Sequence, residues 1–90
     1  MPGKAPLHDL IVTVVDQQGC ARCEAILCIV HSPVVMPEVA RLTNSVGQCR
    51  LRLAPGEYTL EAFDNEGPHR GRQSVVIPDQ GQLRITLGPP

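Results

Sequence analysis

Aromatic side chains are almost missing from this 90-residue chain, which has one Phe, one Tyr and no Trp. Stacking platforms for nucleic-acid bases are therefore scarce. With eight Lys and Arg against nine Asp and Glu, there is also no surplus of positive charge to hold phosphates. No apolar run approaches the ~20 residues of a membrane-spanning helix. The opening Met1-Pro-Gly-Lys-Ala-Pro-Leu-His-Asp9 has no apolar stretch before Leu10 and does not read as a signal peptide. What the chain does contain is nine Leu, five Ile and ten Val, enough for one packed core. The length leaves no room for a second. The expected partition is a tail over 1–8, a single domain over 9–88 and a short tail at 89–90. If Met1 is the native start, the cytoplasm is the expected compartment; if the chain is trimmed from a longer one, an extracellular or periplasmic location is the alternative.

Turn chemistry recurs along the chain. Asp16-Gln-Gln-Gly19, Asn44-Ser-Val-Gly47 and Asp64-Asn-Glu-Gly67 each set an Asp or Asn three residues before a Gly. In such a turn the Asx side chain accepts a backbone N–H, and the Gly takes a left-handed position that a Cβ disfavours. Asp79-Gln-Gly81 is a shortened version. Ala54-Pro-Gly-Glu57 adds a turn in which Pro55 sets φ and Gly56 supplies a positive one. Between the turns lie β-branched and alternating runs, none long enough for a helix. Seven strands are expected, near 9–16, 24–31, 38–44, 48–54, 57–64, 71–78 and 82–88.

Residues 49–62 suggest a hairpin about Pro55-Gly56. That register sets Cys49 opposite Ala62, Leu51 opposite Leu60 and Leu53 opposite Tyr58 on an inward face. Arg50 then pairs with Glu61, and Arg52 with Thr59, on the outward face. In the last strand Leu83, Ile85 and Leu87 face in, while Arg84 and Thr86 face out. Strands 9–16 and 24–31 are apolar on both faces, which places them centrally. The expected fold class is all-β, a seven-stranded antiparallel Greek-key β-sandwich. Ser32-Pro-Val-Val-Met-Pro37 is the exception. Its two prolines bar a central strand, and Val34, Val35 and Met36 make an apolar connection.

The order Val12-Thr-Val-Val-Asp16, Gly19, Ala25-Ile-Leu-Cys-Ile-Val30, Thr43, Gly47-Gln-Cys-Arg-Leu-Arg-Leu53, Pro55-Gly56-Glu-Tyr58 and Leu60 resembles the carboxypeptidase regulatory-like domain. The resemblance spans about residues 10–88. It implies a transthyretin-like (prealbumin-like) sandwich, of the broad immunoglobulin-like kind, and a bacterial-type accessory, anchoring or binding role. The chain departs from that pattern at Cys49, where an aromatic usually sits, and at Glu24, where a Gly usually precedes the Ala. A Cys-rich first loop replaces the usual Gly-x-Pro. Hydroxyisourate hydrolase shares the sandwich, and His8 and Arg50 are loosely similar to its histidine and arginine positions. Its C-terminal Tyr-Arg-Gly-Ser is absent, since this chain ends Leu87-Gly-Pro-Pro90.

Strand parity gathers loops 17–23, 45–47 and 65–70 at one end of the sandwich, and loops 32–37, 55–56 and 79–81 at the other. Cys20, Cys23, Cys49 and His69 thereby approach one pole. Cys-x-x-Cys is the usual half of a zinc site, so these four are the candidate ligands for Zn or an Fe–S cluster. A second half-site is missing, because Cys28 and His31, three apart on a strand, point to opposite faces. Cys28 and Cys49 read as small buried hydrophobes. A disulfide among Cys20, Cys23 and Cys49 is a third reading, and an intracellular chain would keep its thiols reduced. The leading expectation is no cofactor.

Arg41, Arg50, Arg52, Arg72 and Arg84 would line a basic face, but interspersed Glu38, Glu57 and Glu61 suggest a mixed, solvated surface. Phe63 falls on an outward ladder. With Val34, Val35 and Met36 it forms the expected partner-binding patch. Taken together the residues imply a non-enzymatic accessory or protein-interaction module, acting by β-edge pairing or a docked loop pole. A protein partner is expected, with no nucleic acid, no membrane insertion and scope for a homo-oligomer through a β-edge. A small metal-binding protein is the alternative, and a hydrolase of the hydroxyisourate type is the second. No catalytic residue is assigned.

Overall fold

The computed structural model describes residues 6–33 and 40–89. Within them the chain forms strands and no helix: β1 (His8–Val15), β2 (Ile26–His31), β3 (Arg41–Leu42), β4 (Gln48–Leu53), β5 (Gly56–Phe63), β6 (Arg70–Ile77) and β7 (Gln82–Thr86). They pair into a three-stranded sheet, β4-β1-β7, and a four-stranded sheet, β3-β2-β5-β6. β1 and β2, apolar on both faces, are each flanked on two sides. Both are therefore central strands, but only one face of β2 is covered by the opposing sheet; Val30 on that strand is exposed.

The inner faces of the two sheets make one core. Leu10, Val12 and Val14 of β1, Leu51 and Leu53 of β4 and Ile85 of β7 meet Leu27, Tyr58, Leu60, Ala62, Val75 and Ile77 from the other sheet. Each fully buried Leu, Val or Ile contributes roughly 1.5–3 kcal/mol of transfer free energy, which is the force holding the layers together. Tyr58 is buried among them, and its hydroxyl donates to the carbonyl of Ala54 at 2.8 Å, so its polar end is satisfied.

The pairing departs from the expected hairpin. β4 and β5 belong to different sheets: β4 lies antiparallel to β1, with Leu51 opposite Leu10 and Cys49 opposite Val12, while β5 runs between β2 and β6. Leu51, Leu53, Tyr58 and Leu60 do face inward, but toward the opposing sheet. Alternation within a strand specifies which residues are buried. It does not specify whether two inward faces share a sheet or oppose each other. The outward pairs change with it. Arg52 meets Asp9 at 3.5 Å, Glu61 meets Arg72 at 3.5 Å, and Arg50 stands beside Ile11.

The sandwich is also not wholly antiparallel. β1 and β7 run parallel, with Val14 level with Ile85, a pairing open to strands so far apart in the chain. β1 does not adjoin β2, as the first two strands of an immunoglobulin constant domain do. Cys28 is not in the core. Leu27 points inward, and Cys28, next along the strand, lies half-buried on the outer face opposite Glu61. A strand apolar on both sides gives alternation nothing to decide with, so the sequence could not assign it. Of the expected third strand, residues 38 and 39 lie outside the described residues, as do the proposed patch residues Val34, Val35 and Met36; within the described part the strand is Arg41–Leu42.

Candidate functional site

Three loops meet at one end of the sandwich, as strand parity requires. Asp16 closes the first through its Oδ1, which accepts the N–H groups of Gln18 and Cys20 at 2.9 Å each. Asn44 closes the second in the same manner, with Val46 and Gln48 as donors at 3.0 Å. These loops are pressed together at Gly47, whose carbonyl accepts the Val14 N–H at 2.8 Å. Gly47 has φ +75°, and a Cβ there would stand 2.9 Å from the Ala21 Cβ and 3.0 Å from the Arg22 nitrogen. Only Gly fits both the backbone angle and the approach. The third Asx turn behaves differently: Asp64 accepts the Glu66 N–H at 3.2 Å, yet Gly67 is not left-handed. Pro68 follows it, and a proline pushes the residue before it toward extended backbone.

Two residues organise this pole: Thr43, which the resemblance pattern contains without assigning it a role, and Arg22, which the sequence reading did not single out. Thr43 is buried; its Oγ1 accepts the Ala25 N–H at 2.9 Å and donates to the Arg22 carbonyl at 2.6 Å, fastening the end of the first loop. Arg22 then reaches across the sandwich. Its guanidinium lies 3.2 Å from an Asp64 oxygen and 3.1 Å from a Glu66 oxygen. Asp64 is 42 residues away in sequence, so no local pattern could have shown the pair. The Glu66 N–H, and after it Arg22 and His69, hold the Asp64 carboxyl below its ordinary pKa against the opposing effect of burial.

Between the loops lies a cleft of about 280 Å³. It is lined by Asp16, Gln17, Gln18, Arg22, Asp64 and His69, with Leu87 as its apolar member. The charges in it are largely spent internally, Asp16 on its turn and Arg22 on two carboxylates. The amides of Gln17 and Gln18 and the imidazole of His69 remain for hydrogen bonding.

The expected ligand residues are distributed rather than gathered. Cys20, Cys23 and His69 are exposed at the pole, whereas Cys49 points into the core. Burial pushes the Cys49 thiol up, with Arg41 nearby pulling the other way. All four cysteines are free, and among the described residues no three or more His, Cys, Asp or Glu converge as a metal would need. His8 opens β1, at the opposite end of that strand from the pole, and Arg50 lies exposed on β4. Neither lines the cleft with His69.

A second surface is more distinctive. On the solvent side of β3-β2-β5-β6, Leu42, Ile26 and Phe63 stand in one row across three strands. Leu42 is 60% exposed, and Val30 and Val76 on the same sheet are 46% and 41% exposed. Phe63 therefore lies outward, as its strand position predicts, and belongs to an apolar band whose other members the sequence did not group.

No family model matches the chain, and no curated protein matches it. Among solved structures, the chain is similar to a DUF3823 family protein from Parabacteroides merdae, with a TM-score of 0.70 at 20% identity. The match covers 96% of this chain and 48% of that one, so the chain spans about half the length of its structural neighbour. Among the described residues there is no helix long and apolar enough to cross a membrane. At this identity the likeness speaks to architecture alone: the chain is an all-β domain of two packed sheets.

Proposed function

We propose that the chain is a transthyretin-like sandwich of the carboxypeptidase regulatory-like kind, working as a non-enzymatic accessory module that docks another protein. The observation that carries this reading is the apolar row Leu42, Ile26 and Phe63 on the solvent side of a sheet whose other side is already the core. A sheet needs one apolar face to fold; a second one, rimmed by the Glu61–Arg72 pair, is the makeup of a contact surface. The strand order supports the transthyretin-like class, since β1 joins β4 and β7 rather than β2. Among the described residues β4 is an edge strand with no second neighbour, whereas Gly88, at the end of β7, is bridged to Arg70 of β6, so pairing with a partner or a second copy through a strand is compatible with β4.

The test is site-specific photo-cross-linking in the native host, with benzoylphenylalanine replacing Phe63 or Leu42 and, as control, exposed Asp79. Discrete adducts from the first two positions and none from the third are expected. Adducts from neither position, or equally from all three, would remove the basis for a docking face on this sheet.

A further inference from the structure

We infer that the solvent face of the β4-β1-β7 sheet binds an acidic polypeptide segment, with Arg50 and Arg84 as its carboxylate-binding residues. The inference rests on the reading of the chain as an interaction module and adds the chemistry of a partner. In sequence, the arginines look interspersed with acids. The fold sorts them. The outward side chains of this sheet are Gln48, Arg50 and Arg52 on β4, Asp9, Ile11 and Thr13 on β1, and Gln82, Arg84 and Thr86 on β7. That is three cations against one anion. Glu57 and Glu61, which diluted the charge in sequence, lie on the other sheet, where Glu61 is held by Arg72.

Asp9 is taken by Arg52 at 3.5 Å. Arg50 and Arg84 have no ion-pair partner among the described residues, and both are exposed. Their placement is geometric. Arg50 is level with Ile11, Arg84 with Thr13, and β1 separates them. Two strand spacings across and two residues along put their Cα atoms about 12 Å apart on one flat face. An extended segment carrying carboxylates four residues apart spans about 13 Å, which matches. Each guanidinium can take a carboxylate through two parallel N–H groups. Half-buried Ile11 and the amides of Gln48 and Gln82 lie between and beside them as apolar and hydrogen-bonding floor.

A polypeptide is favoured over a nucleic acid by what the face lacks. Two free guanidinia supply little counterion release, and neither aromatic of the chain is on this sheet, since Tyr58 is buried and Phe63 is on the other one.

The experiment is an NMR titration of the ¹⁵N-labelled chain with a synthetic octapeptide of alternating Glu and Ser. Saturable amide shifts confined to residues 9–13, 48–52 and 82–86 are expected, weakening as ionic strength rises from about 0.02 to 0.2 M. An exposed ion pair is worth at most about fivefold in affinity, so Arg50→Gln with Arg84→Gln should weaken binding about tenfold. The double variant Arg41→Gln with Arg70→Gln, an equal change of net charge on the other sheet, should leave it unchanged. Both pairs are exposed substitutions, and an unaltered spectrum elsewhere verifies the fold. Absent shifts, shifts centred on the other sheet, or equal loss in both double variants would overturn the proposal. So would an oligothymidylate producing the same shifts at lower concentration than the peptide. A failure here alongside successful cross-linking from Phe63 removes the acidic partner and leaves the docking module in place.

Discussion

Glu24 offers the sharpest test of how the loop pole is built. Its φ of +56° lies in the left-handed region, at the position where the resembled domain pattern carries Gly. For a residue with a Cβ that conformation costs roughly 1–2 kcal/mol. The backbone has little choice there: the Glu24 N–H donates to the Thr43 carbonyl at 2.9 Å, and the Ala25 N–H to the Thr43 hydroxyl at 2.9 Å. Glu24→Gly removes the strain but loses about 0.5–1 kcal/mol through the freer unfolded chain. The net gain expected is about 0.5–1 kcal/mol, or roughly 2–8 °C in Tm for a domain of this size. The side chain itself contributes little, since its contact with the Asn65 amide is exposed and 3.5 Å long. Glu24→Ala is the decisive control. It removes the same carboxylate and the same local charge but keeps the Cβ, so only the backbone effect separates the two variants. Paired urea denaturation curves measure the difference. If Glu24→Gly were no more stable than Glu24→Ala, the left-handed strain assigned to this position would be refuted.

The hydroxyl of Thr43 bridges Ala25 and Arg22, so Thr43→Val should cost about 1–3 kcal/mol by stranding the Ala25 N–H; Thr43→Ser should recover most of it in the same denaturation assay. Because the folded-state pKa of Asp64 is depressed, its contribution to stability is present above the ordinary value of 3.8 and lost as pH falls through the lower folded value. Asp64→Asn should therefore flatten the acid limb of Tm against pH below that point; an unchanged limb would count against the hold that the Glu66 N–H and, after it, Arg22 have on this carboxyl. Cys20 and Cys23 are exposed and Cys49 is buried with its thiol pushed up, so an aromatic disulfide reagent should titrate the first two at once and Cys49 only on unfolding. Fast labelling of Cys49 in the native protein would contradict its place in the core.

Local rules were legible wherever one strand or one turn contained the whole argument. The inward residues of β4, β5 and β7 follow from period-two alternation, and Asp16 and Asn44 form the turns their spacing implies. Parity alone placed the loops around 17–23, 45–47 and 65–70 at one end. Relations between distant strands were not encoded in any such period. A residue that faces inward has the same pattern whether its neighbour lies beside it or across the core, so Leu51 and Leu60 looked like a hairpin pair although they belong to opposed sheets. For the same reason Arg50, Arg52 and Arg84 seemed diluted by Glu57 and Glu61 until the fold put them on different faces. Arg22 and Asp64 meet only because two loops far apart in sequence share a pole. The sequence by itself determined the all-β class, the Asp16 and Asn44 turns and the buried side of the alternating strands β4, β5 and β7, because these depend on steric and solvation preferences of neighbouring residues. Tertiary structure alone decided which strands pair, which charges cluster and which apolar side chains stay in water, because those depend on how two sheets close over a shared core.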